Sequence, residues 1–119
     1  MSSAAEQAFH QEVKLALKAR RQQLWPEAWS HLERAHILGQ RHFVLHMQSH
    51  WLMLKLAAEQ SNWPEIRGQV LRLLLTPVGH LTGRLPPGNP GSSRYPVLQP
   101  QPVPQDLQQL LSGTDDKVS

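Results

Sequence analysis

A chain of 119 residues has room for one hydrophobic core and is too short for two independent domains. It has no cysteine, which excludes disulfides, thiolate metal sites and thiol nucleophiles, so any metal must be held by imidazole, carboxylate, thioether or backbone oxygen. The net charge of +3, from 12 basic and 9 acidic side chains, is spread at helical spacing instead of forming a patch, so nucleic acid is not an expected partner.

Taken in chain order, Ala5, Phe9, Val13, Ala16 and Leu17 recur at three-to-four spacing opposite Lys14, Lys18 and Arg21, which predicts a first helix from Ala4 to about Leu24. Trp25-Pro26-Glu27 restarts the chain, because proline and an acidic residue both suit a first helical turn; the second helix is expected to end at Gly39. A third helix is expected from His42 to about Gln60, and a fourth from Pro64 to Leu75, capped by Asn62 and stopped by Pro77. Trp25 and Trp63 read as staples of the two hairpins, and Trp29 and Trp51 as core.

The chain repeats itself. Gln23-Leu24-Trp25-Pro26-Glu27 matches Ser61-Asn62-Trp63-Pro64-Glu65 at an offset of 38 residues (63 − 25), and the apolar positions that follow carry over, with His36 falling on Leu74. A period of this length with two helices per unit belongs to the helical-repeat class. The expected fold is therefore all-α: two stacked hairpins, 4–39 and 42–75, similar to tetratricopeptide repeats. An extended Pro/Gly-rich segment, 76–111, completes a single domain, 1–111, because eight of the ten prolines and four of the seven glycines lie between Thr76 and Gln105. Asp106 to Leu111 reads as a last helical turn and 112–119 as a disordered tail. With neither a leader-like start nor an apolar run of membrane-spanning length, the expectation is a cytoplasmic protein with no membrane partner.

The compositional anomaly is histidine: five of the seven (His31, His36, His42, His46, His50) fall within 20 residues. On a helical wheel His42, His46 and His50 make one stripe beside the apolar arc of the third helix, and the i, i+4 spacing of His46 and His50 lets both reach one ion. Buried imidazoles need partners, since an unsatisfied polar group costs about 1–3 kcal/mol. His36 takes a position that the repeat fills with leucine, and Glu12 sits among the inner apolar residues of the first helix. Glu12, His36, His46 and His50, with His42 as a fifth candidate, are thus the predicted ligands of a divalent transition metal (zinc, nickel or copper) inside a helical bundle. Ordinary hydrogen-bonded packing is the competing reading for each histidine taken alone.

Read together, Trp25 through Gln40, His46 through Met53 and Gly79-His80-Leu81-Thr82-Gly83-Arg84-Leu85-Pro86 resemble a bacterial family of uncharacterised proteins, domain of unknown function family 3703. The resemblance covers about Phe9 to Leu111; it implies a bacterial single-domain protein, with no established activity and no catalytic residues to carry over. The expected function is metal binding, in metal handling or resistance. The alternative is an interaction module without a metal, with a protein partner or a second copy of the chain on the hairpins. Enzymatic use of an open metal position would need a general acid or base, for which Glu33 and His31 are the candidates; no motif selects them, and the chain is read as a binder.

Overall fold

In the computed structural model, which describes residues 3–118 and the side chains of 3–112, the chain forms five α-helices with no strand among the described residues: α1 Ala4–Arg21, α2 Trp25–Gly39, α3 Phe43–Glu59, α4 Trp63–Thr82 and α5 Gln105–Val118. Helix α1 packs on α2, α2 on α3 and α3 on α4, while α5 returns to α1 and α2. Two apolar clusters hold this array. Phe9, Ala35, Ile37, Leu38 and Leu45 bury Leu107 of α5, and Ala16, Ala19, Ala28 and Leu32 meet Met53 and Leu56 of α3. Phe9 and Met53 are fully buried; truncating either to alanine would remove contacts worth about 2–5 kcal/mol.

The 38-residue repeat is also a repeat of backbone geometry. Gln23 and Ser61, one period apart, both take left-handed conformations, with φ of 58° and 51°. The corner hydrogen bonds coincide under the same shift: Leu24 N to Ala19 O and Asn62 N to Ala57 O, then Ala28 N to Leu24 O and Ile66 N to Asn62 O. Each Trp-Pro-Glu follows that corner as a first turn, where proline's missing N–H costs nothing. Only the second corner carries a side-chain cap, Asn62 Oδ1 accepting from Glu65 N at 3.2 Å.

Two expectations are corrected here. Helix α4 does not stop at Leu75 but runs through Pro77 to Thr82, where Gly83 ends it with φ of 74°. An interior proline forfeits one hydrogen bond and crowds the preceding turn, at about 3 kcal/mol. Here Thr76 stitches that turn by donating its hydroxyl to Arg72 O at 2.6 Å, and the extension carries His80 into contact with α3. Trp51 is not core but 54% exposed, whereas Trp29 is half-buried and donates its indole N–H to Gln60 Oε1 at 2.6 Å. Helix α5 runs from Gln105 to Val118; side chains beyond 112, and Ser119, lie outside the described residues.

Between α4 and α5 the chain from 83 to 104 forms a non-helical strap that lies on its own helices. Asn89 organises it, donating from Nδ2 to the carbonyls of Pro96 and Gln99 at 2.8 and 2.7 Å while its Oδ1 accepts from Gly91 N at 2.9 Å. Glu33 of α2 accepts from the Ser92 hydroxyl and from Arg94, and Glu65 of α4 accepts from Ser93 N at 3.0 Å. The strap therefore bridges α2 and α4 and closes over the space between them.

Candidate metal centre

Three helices end their inward faces on one point. His36 comes from the last turn of α2, and His46 and His50 lie one turn apart on α3; the three side chains are 3%, 4% and 3% exposed. Their Nε2 atoms form a triangle with edges of 3.0 Å (His36 to His46), 3.1 Å (His36 to His50) and 3.2 Å (His46 to His50). Donors about 2.0–2.1 Å from a zinc ion in a tetrahedral site would stand about 3.3 Å apart, so a triangle of this size matches one face of a coordination polyhedron.

The partners on the far sides of the rings set which nitrogens carry protons. Gln69 of α4, fully buried, donates its amide to Glu65 Oε2 at 2.8 Å and to the Gly91 carbonyl at 2.9 Å. That orientation leaves Gln69 Oε1 facing His50 Nδ1 at 2.8 Å, so His50 carries its proton on Nδ1 and turns the Nε2 lone pair toward the other rings. His46 Nδ1 lies 2.9 Å from His80 Nε2 on the extended end of α4, an arrangement in which His46 donates outward and again presents Nε2 inward.

The third ring is different. His36 Nδ1 is buried with no hydrogen-bond partner, although the Asn89 backbone favours a proton on this ring. Without a cation, one proton on His36 Nε2 shared between the other two nitrogens would hold the triangle together, and Nδ1 would then be an orphaned buried acceptor. With a cation at the centre, all three Nε2 lone pairs become ligands and His36 Nδ1 carries the proton.

All three rings are held neutral at ordinary pH. Burial pushes His46 down to about 3 and His50 to about 4, with neighbouring positive charge adding to both, and burial drives His36 well below its usual range. Neutral imidazole is the form that binds metal. The positive field includes Arg72, whose guanidinium donates to the carbonyls of Gly68, Ser92 and Tyr95. His80 is lowered as well, first by desolvation and then by His42.

Two predicted ligands lie elsewhere. Glu12 faces the α1–α2 seam, where its carboxylate takes His31 Nδ1 at 2.6 Å and Arg34 Nε at 2.9 Å. His42 is the N-cap of α3, exposed, with extended backbone (φ −103°, ψ 114°), so the helical stripe ends one turn before it. Glu33 and His31, candidates for a general acid or base, are taken up by the strap and by Glu12. Gln69, His80 and Gly91 go unsingled in the sequence reading as parts of the site. His80 is marked in the sequence only as a histidine next to a glycine, and Gln69 carries no signal that sets it apart from the other polar residues of its helix.

The rings form part of the wall of a cavity of about 200 Å³ bounded by α4 and the strap. The chain is thus a small all-helical protein with a buried three-histidine cluster that could hold a metal ion, open on one side to a cavity. It belongs to the family described as "Protein of unknown function (DUF3703)", whose family model matches residues 3–111. No curated protein and no solved structure matches it.

Proposed function

We propose that this chain binds a divalent transition metal (zinc, nickel or copper) through Nε2 of His36, His46 and His50, as a metal-handling protein and not as an enzyme. The observation that carries this reading is the triangle of three inward-facing, buried nitrogens 3.0–3.2 Å apart, with an outer hydrogen-bond partner on His46 and His50. Imidazole donors suit these metals, and the Gln69 amide oxygen that accepts from His50 Nδ1 is the kind of partner that fixes a ligand's tautomer.

Protein purified without a tag or chelator, or stripped and titrated calorimetrically, is expected to take up one metal per chain. His46→Ala with His50→Ala should lower that affinity at least a hundredfold while the far-ultraviolet helical signal persists. Equal metal content in parent and double variant would sink the proposal.

A second reading concerns assembly and rests on a different observation. Helix α4 turns an apolar stripe outward, interrupted by Arg67: Trp63, Val70, Leu71, Leu74, Val78 and Leu81 are all exposed, Leu74 by 69%. The residues recur at helical spacing, and a helix of this kind pairs with its own copy across a two-fold axis, the commonest closed arrangement of identical chains. Sedimentation of the parent as a dimer and of Leu74→Glu as a monomer with unchanged metal content is the expected result; a monomeric parent at high micromolar concentration removes this reading.

A further inference from the structure

The histidine cluster supplies three neutral donors, and the cavity beside it supplies no anionic fourth. Among the described residues lining that cavity there is no carboxylate, and the chain has no cysteine. Glu65 and Glu33 are already engaged by other partners: Glu65 accepts from Gln69 and Ser93 N, and Glu33 from Ser92 and Arg94. A divalent ion held by three neutral imidazoles keeps its full charge of +2, and the cavity wall adds the guanidinium groups of Arg72 and Arg84. Burial of uncompensated charge is costly, so this arrangement favours an anion at the remaining position.

The rest of the wall selects the body of that anion. Leu75, Val78, Leu85 and Val97 face the same space, and a bare hydroxide would leave them against water. At roughly 30 Å³ per water-sized group, about 200 Å³ holds some six or seven non-hydrogen atoms. Resting on the metal-binding reading above, we propose that the open side of the histidine centre takes a small monoanion of the aliphatic carboxylate class. Its head meets the metal and its short apolar chain lies along Leu75, Val78, Leu85 and Val97.

Cobalt(II) makes the coordination sphere visible, because its d–d bands change with the number and kind of ligands. The cobalt-loaded protein is titrated with acetate, pentanoate and neutral pentanol. Pentanoate is expected to shift the bands and to bind at least tenfold more tightly than acetate, since it buries three more methylene groups, while pentanol leaves the bands unchanged. Leu85→Trp and Val97→Trp, which narrow the cavity and touch no histidine, should retain cobalt affinity and lose the pentanoate response. Cobalt that binds with bands indifferent to pentanoate, or with equal affinity for acetate and pentanoate, overturns this inference and leaves metal binding standing. A parent that takes up neither cobalt nor zinc, nickel or copper overturns both.

Discussion

Acidification of the metal-free protein is expected to cost stability steeply below about pH 6.5, well before any carboxylate is titrated. In the unfolded chain the histidines bind protons near pH 6.5, whereas in the folded protein His46 and His50 remain neutral to about 3 and about 4, and His36 is also displaced downward. Between those limits the unfolded state holds more protons, so stability falls as pH falls. The contribution is fully present above pH 6.5 and is lost on the way down to the folded values. Each withheld proton is worth about 1.4 kcal/mol per pH unit, so three such rings together cost roughly 4 kcal/mol per unit. Against a total stability of about 5–15 kcal/mol, the midpoint of acid unfolding should lie about one to four units below pH 6.5.

Urea melts at pH 7.5, 6.0 and 5.0 read this directly. The parent's midpoint should drop at each step, and His46→Ala with His50→Ala should flatten the profile because two of the three withheld protons are gone. A parent profile as flat as the variant's would mean that the rings accept protons without unfolding the chain. Bound metal adds to the same slope, since it holds only the neutral rings and is released as they protonate.

Gly91→Ala is expected to damage fold and metal centre together, because among the described glycines it is the one whose added methyl would strike a histidine of the cluster. Gly91 has φ of 87°, and a Cβ there would stand 2.5 Å from His36 Cδ2 and 2.6 Å from His36 Cγ. The left-handed backbone alone costs an L-residue about 1–2 kcal/mol, and the collision with a fully packed ring brings the expected loss to about 2–4 kcal/mol. The ring cannot yield without moving Nε2 off the triangle, so metal affinity should fall by about tenfold to a hundredfold, as for other losses of outer support. Gly83→Ala separates the two causes. Its φ of 74° is similar but nothing lies within 4 Å of its Cβ, so it should show the backbone cost alone and unaltered metal binding. Identical behaviour of the two variants, by thermal melting and calorimetry, would refute the contact between strap and ring.

What the sequence discloses of this site follows from helical periodicity. His46 and His50 are legible because four residues bring side chains to one face, and His36 because the 38-residue repeat sets it against Leu74, marking a polar residue in an apolar position. Periodicity says which residues share a face, but not which neighbour that face meets. Glu12 lies on an inward face of α1 as expected, yet that face meets His31 and Arg34 across the first hairpin, while the centre is built where α2, α3 and α4 converge. His42 has the right spacing and the wrong backbone, one residue outside the helix.

The strap was legible as a change in composition and no further. Its path depends on Asn89, Glu33 and Glu65 holding separate turns together through contacts as many as 61 residues apart in the chain, and no local pattern encodes those. Pro77 misled for a related reason: its local preference is to stop a helix, and the pairing of His80 with His46 lies beyond it.

The distribution of exposed apolar side chains also limits what many copies of this chain can build. Among the described residues no large apolar side chain is exposed on α1, α2 or α5; Leu107 has drawn α5 down over Ala5 and Phe9 at that end. A repeat array with both ends bare can add copies head to tail without limit and grow into a fibre. Under the proposed pairing, the stripe on α4 would meet no comparable apolar face on α1, α2 or α5 of another copy among the described residues. In the dimer proposed above, the last helix would cover the end at which a further copy could add.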